Sequence, residues 1–107
     1  MHASDDQPIP IDIRTPGGVR ELLLRACADG LALVAMEPAD VPDDFDLREA
    51  GVVDSLGFLE LVTALEDELG IELDFEDIEP DQLTTVGPLV AHVARQAAAD
   101  ADEREAA

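Results

Sequence analysis

The sequence has no lysine, tryptophan or tyrosine, and a single cysteine among its 107 residues. One cysteine excludes an internal disulfide, and the two histidines supply no Cys/His cluster of the kind structural zinc needs. So thiol-poor a composition fits a reducing cytoplasm. Aromatic residues make up only 3% of the chain against 47% hydrophobic residues, so the core must be built mostly from Leu, Val, Ile and Ala. Positive charge is scarce as well. Six arginines face 26 acidic residues, for a formal net charge of −20. That balance argues against binding nucleic acid or an anionic membrane, where Lys and Arg must neutralise phosphate. It favours partners with basic patches, met quickly and in a salt-sensitive way, while part of the acidity simply maintains solubility. The all-arginine basic set, beside abundant Ala, Leu, Val and Asp, suggests a GC-rich genome.

What is present reads as one small domain with a modest core. Residues 1–14 are polar and acidic and lack the basic start and apolar run of a secretory signal, so they read as a disordered or loosely attached acidic tail. Within that tail Ile9, Ile11 and Ile13 alternate and could lie along the domain. The domain spans residues 15–97. Thr15-Pro16 is a helix start, and the apolar positions Val19, Leu22, Leu23, Ala26, Leu33 and Val34 predict one helix near 16–35. Gly30 weakens it by about 1 kcal/mol relative to alanine, and Asp29-Gly30 also resembles a stop, but the apolar phase continues across it and favours one helix. Cys27, on the flank of the stripe, reads as a structural thiol.

A long loop with two prolines follows from Glu37 to Val53, and Val41, Phe45, Leu47, Val52 and Val53 should pin it across the helices. Its acids Asp43, Asp44 and Asp46 do not make a calcium loop, because the sixth and twelfth positions counted from Asp44 hold Glu49 and Ser55. Asp54 then caps a helix ending at Gly70, with Phe58, Leu61, Val62, Leu65 and Leu69 as its buried stripe. Ile71 to Ile78 alternates apolar and acidic residues and reads as an extended connector that covers the core. Glu79–Leu83 gives one short helical turn, and Thr84 or Thr85 caps a last helix with Val86, Leu89, Val90, Val93 and Ala97 inside. His92, at the edge of that stripe, reads as a partly exposed surface histidine. Residues 98–107 form a fraying acidic tail.

Ser55 is the first residue of the central helix, beside unpaired N–H groups and the positive end of the helix dipole, where a phosphate is best tolerated. Leu56, Leu59 and Thr63 lie on the helix face opposite the core stripe, with Glu60 and Asp67 on one flank and Glu66 on the other. An acid-rimmed apolar strip is either a docking surface or a half-buried face that the acids solvate; both readings stand. No catalytic constellation accompanies it. The histidines are His2, in the tail, and His92, and Gly17-Gly18 is no phosphate loop. No metal site is expected.

The run Leu47-x-x-x-Gly51-x-x-Asp54-Ser55-Leu56, followed by Glu60-Leu61-Val62-x-Ala64-Leu65-Glu66-Asp67-Glu68-Leu69-Gly70-Ile71, resembles the acyl carrier protein family. The resemblance covers roughly residues 16 to 97 and implies an all-α fold, a small four-helix bundle with three main helices, one short helix and a long first loop. It implies that Ser55 carries 4'-phosphopantetheine, received from coenzyme A by a phosphopantetheinyl transferase, with Asp54 and Leu56 framing the attachment. The arm's thiol would hold an acyl or aminoacyl group as a thioester. Docking would fall to Leu56, Leu59, Glu60, Thr63, Glu66 and Asp67. The partners implied are the transferase, a loading enzyme (acyltransferase or adenylating ligase) and downstream synthase or tailoring enzymes, with the carrier a cytoplasmic monomer. The sequence departs from fatty-acid-type carriers where Gly57-Phe58 follows the Asp-Ser-Leu triplet, and Asp74–Leu83 looks closer to stand-alone carriers loaded by adenylating ligases. These lean towards a discrete carrier in specialised biosynthesis. The alternatives are an aminoacyl or peptidyl carrier, or an acidic adaptor with this fold that is never modified.

Overall fold

A computed structural model of the chain describes residues 15–106. The acidic tail 1–14, with His2 and its three isoleucines, lies outside the described residues. The described residues hold four α-helices and no strand: α1 Pro16–Ala26, α2 Ala28–Leu33, α3 Ser55–Leu69 and α4 Val86–Ala106. α1 packs against both α3 and α4. Their facing stripes enclose one aliphatic core in which Val19, Leu23, Leu31, Leu47, Leu65, Leu89 and Val93 are almost wholly buried. The fold is the small helical bundle expected, with a different division of its helices.

The single helix expected over 16–35 is in fact two. Thr15 caps α1 as expected, its hydroxyl accepting the N–H of Gly18 at 3.1 Å. The chain turns at Cys27, whose N–H still reaches the carbonyl of Leu23 at 3.1 Å. Gly30, the suspected weak point, lies inside α2 and has a packing role. A β-carbon there would stand 2.4 Å from the Val52 carbonyl oxygen and 2.9 Å from Val52 Cγ1. The break at Cys27 accompanies this close seating of α2 on the loop. Its apolar period continues across the turn because both helices bury the same side, through Leu23 and Leu31. Cys27 itself is buried, which pushes its thiol up to about 11 and keeps it protonated at neutral pH. Past the end of α2, Ala35 lies in the left-handed region (φ 60), with Met36 N–H returning to the Leu31 carbonyl at 2.9 Å.

The loop to Val53 is pinned as expected by Val41, Leu47 and Val53, all buried, with Phe45 and Val52 packed against the core. Unexpectedly, it forms a 3-10 turn at Pro38–Asp40 and supplies the cap of α4. Val86 N–H donates to the Phe45 carbonyl at 3.0 Å, and Gly87 N–H to the Asp43 carbonyl at 2.8 Å. Two of the N–H groups that a helix start leaves unpaired are thus satisfied by backbone from the loop. Thr84 and Thr85 precede the helix, but their hydroxyls donate elsewhere, to Asp46 Oδ1 at 2.9 Å and the Asp81 carbonyl at 3.5 Å. Asp46 also accepts the N–H groups of Arg48 and Glu49. Desolvation raises its pKa, but the hydrogen bonds from Glu49, Thr84 and Arg48 together outweigh it and hold the carboxyl below its ordinary value.

After α3 the chain stops at Gly70 (φ 69), as expected, and runs extended along the core with Ile71, Leu73 and Phe75 turned inward. The short fourth helix of the sequence reading is a 3-10 turn at Pro80–Gln82. α4 then continues past Ala98 to Ala106.

Candidate functional site

Asp54 has extended backbone (φ −107, ψ −169), and its Oδ1 accepts the N–H of Gly57 at 2.7 Å. It is the N-cap that the sequence indicated. Gly57, which looked like a departure, belongs to this cap: a β-carbon there would meet Asp54 Oδ1 at 3.1 Å and crowd the carboxylate that closes the helix. Three contacts fix the approach to the cap. Gly51 turns the chain at φ 82. Val52 N–H donates to the Leu47 carbonyl at 2.9 Å while its own carbonyl rests on Gly30, and Val53 is buried beneath the helix start. Ser55 therefore begins α3 on a rigid mount, and it is exposed.

Along α3 the residues sort by face. Leu61, Leu65 and Leu69 are buried, with Phe58 and Val62 half-buried beside them. Leu56 and Leu59 are 66% and 62% exposed, and with Thr63, Glu60 and Asp67 they form an outward strip below Ser55. The half-buried reading of Leu59 is thereby overturned. Thr63 returns its hydroxyl to the Leu59 carbonyl at 3.0 Å. Glu66 is placed differently from its expected position on the rim. It is half-buried, and its Oε2 accepts Leu73 N–H at 2.8 Å, so its carboxylate ties the connector to α3.

His92 needs the largest correction. It is 2% exposed, because the connector folds over it. Phe75 stacks on its ring at a centroid distance of 5.5 Å, and its Nε2 meets the Asp74 carbonyl at 2.5 Å. Gln96 donates to the same carbonyl and Arg95 reaches the imidazole Nδ1 at 3.4 Å. The sequence signal was available in one respect: Phe75 is one of only three phenylalanines and falls on the apolar side of the alternating segment from Ile71 to Ile78. The imidazole is a tie between connector and α4, and Asp54, the acid next to Ser55, is occupied by a backbone N–H. Neither is arranged as a base for the serine. Among the described residues no group of three or more His, Cys, Asp or Glu could hold a metal ion, and no helix is long and apolar enough to cross a membrane. An exposed hydroxyl on a helix N-terminus, with exposed leucines beside it and no base arranged for it, suits a residue that is acted upon.

Residues 21–93 match the family described as phosphopantetheine attachment site, and the acyl carrier protein of Streptomyces coelicolor is 40% identical over 79 residues, 74% of this chain and 78% of that protein. The chain belongs to the acyl carrier protein family. The acyl carrier protein of Saccharopolyspora erythraea is similar as well, 40% identical over 74 residues, 62% of this chain and 76% of that protein. No solved structure matches the chain. As in other acyl carrier proteins, the cofactor is 4'-phosphopantetheine, and the helix start fits it: its N–H groups and dipole favour a phosphodiester, and the exposed mount leaves room for an arm.

Proposed function

We infer that this chain is a discrete carrier whose arm is attached to Ser55 and holds an acyl or aminoacyl intermediate as a thioester for biosynthetic enzymes in specialised metabolism. The observation that carries the assignment is Ser55 itself, exposed as the first residue of α3 behind the Asp54 cap. In the attachment step Ser55 Oγ forms an ester bond to the phosphorus next to the pantetheine portion of coenzyme A. The pyrophosphate bond breaks, adenosine 3',5'-bisphosphate leaves, and the serine proton goes to a base of the phosphopantetheinyl transferase. Asp54 and Leu56 frame the serine. Leu56, Leu59, Thr63, Glu60 and Asp67 form the surface that meets the transferase, the loading enzyme and later synthase or tailoring enzymes, each through a basic patch. The setting is the cytoplasm, where coenzyme A is available.

The test is the intact mass of the protein before and after incubation with coenzyme A and a broad-specificity transferase. One phosphopantetheinyl group should be added to the wild type and none to Ser55→Ala, which should stay folded because Ser55 is exposed. An unchanged wild-type mass would leave the unmodified adaptor as the better reading.

A further inference from the structure

A thioester cargo of several methylenes has two places to go, into its carrier's core or into water until an enzyme takes it, and burial is the favourable one for an aliphatic chain. In this bundle the way into the core beside Ser55 is occupied. Phe58 lies one turn along α3 from Ser55, about 4.5 Å along the axis. Its ring meets Phe75 of the connector at a centroid distance of 6.0 Å and 57°. Phe75 in turn stacks on His92 of α4 at 5.5 Å and 28°. The three rings form a continuous column from α3 through the connector to α4.

The column is held on both sides. Glu66 of α3 takes Leu73 N–H at 2.8 Å, Gln96 of α4 takes Asp74 N–H at 2.9 Å, and both His92 and Gln96 meet the Asp74 carbonyl. Phe75 therefore cannot swing away without loosening a connector fastened to both helices. Phe58 and Phe75 pack against the core, in which Leu65, Leu89 and Val93 are between 0% and 2% exposed.

We propose that the Phe58–Phe75–His92 column closes the seam between α3 and α4, and that this carrier is specific for short or polar acyl and aminoacyl cargo that stays outside the bundle. Phe58 and Phe75 are then specificity-determining residues: they refuse the core to a long aliphatic chain and leave the thioester open to the next enzyme. This rests on the attachment at Ser55 inferred above, and the test separates the two.

The transferase is supplied with acetyl-, hexanoyl- and octanoyl-coenzyme A to load the wild-type protein. Loading is confirmed by mass, and each form is melted. A methylene buried in the core would raise the melting temperature by roughly 3–6 °C in a domain of this size, so an octanoyl chain with half of its methylenes inside would add roughly 10 °C or more. The expected result is a spread of no more than about 2 °C across the three forms, with the methyl resonances of Leu65, Leu89 and Val93 unmoved. A melting temperature that climbs with chain length, or shifts at those methyls, overturns the proposal. Failure to load any donor overturns the attachment at Ser55 instead. In Phe75→Ala, or in Phe75→Leu if the alanine variant does not fold, length dependence should appear. A folded variant that stays flat shows that the rings are not the barrier.

Discussion

Alanine in place of Gly30 tests how the helix pair α1–α2 mounts the serine. By propensity alone Gly30→Ala in the middle of α2 should stabilise the protein by about 1 kcal/mol. The structure reverses that sign. The new β-carbon would lie 2.4 Å from the Val52 carbonyl oxygen and 2.9 Å from Val52 Cγ1. The oxygen belongs to backbone whose own N–H is bonded to Leu47, and the next residue, Val53, is buried, so it cannot give freely. Ordinary contact requires a displacement of about 1 Å, and overpacking of this kind costs typically 1–3 kcal/mol. After the propensity gain of about 1 kcal/mol is subtracted, a net loss of up to about 2 kcal/mol remains, or up to roughly 10 °C in melting temperature. Gly17→Ala is the control, because Gly17 lies in the first turn of α1 with nothing within 4 Å of a β-carbon. It should be neutral or stabilising. Thermal and urea unfolding followed by circular dichroism, read together with the rate of modification by the transferase, measure both. A Gly30→Ala protein more stable than wild type, as propensity alone predicts, would refute the close seating of α2 on Val52.

Three further outcomes follow from single features. Ala35→Gly should stabilise by up to about 1 kcal/mol, since it relieves a left-handed residue at φ 60; an unfolding midpoint below wild type would contradict this. Asp46 contributes stability that is fully present above the ordinary carboxylate pKa and lost as pH falls through its lowered folded value, so the stability gap between wild type and Asp46→Asn should be constant near neutrality and close on acidification below about pH 4; a gap unchanged by acid would mean that the charge is not what matters. Glu60→Lys with Asp67→Lys should slow association with the transferase and flatten its dependence on salt, whereas Leu56→Ala should speed dissociation with little change in salt sensitivity; stopped-flow binding at several ionic strengths distinguishes them, and identical effects from both would mean that the strip is not the docking surface.

The parts of the fold that were legible in the sequence are those written locally. The Asp54 cap, the α3 stripe and the Gly70 stop each depend on residues within one or two turns, and helical period and capping chemistry expose such features directly. What was not legible depends on partners far along the chain. Gly30 looked like a flaw until Val52 was seen against it. The α4 start looked like a threonine cap because the Asp43 and Phe45 carbonyls that serve it are some forty residues earlier. His92 looked superficial because its cover, Phe75 and Asp74, comes from another segment. Glu66 sits on the acid rim of a helical projection, and only the path of the connector shows that its carboxylate is engaged with Leu73. At the site itself the serine, its cap and the face holding Leu56, Leu59 and Thr63 were readable from helical period, whereas the exposure of Leu59 had to come from the structure.

The central claim is that Ser55 bears the arm, and the most direct measurement is tandem mass spectrometry of the protein purified from the cells that make it. The account predicts a phosphopantetheinyl group, free or acylated, on the peptide containing Asp54-Ser55-Leu56 and located on Ser55. Protein that is unmodified in actively growing cells, or a group on another residue such as Ser4, would contradict it.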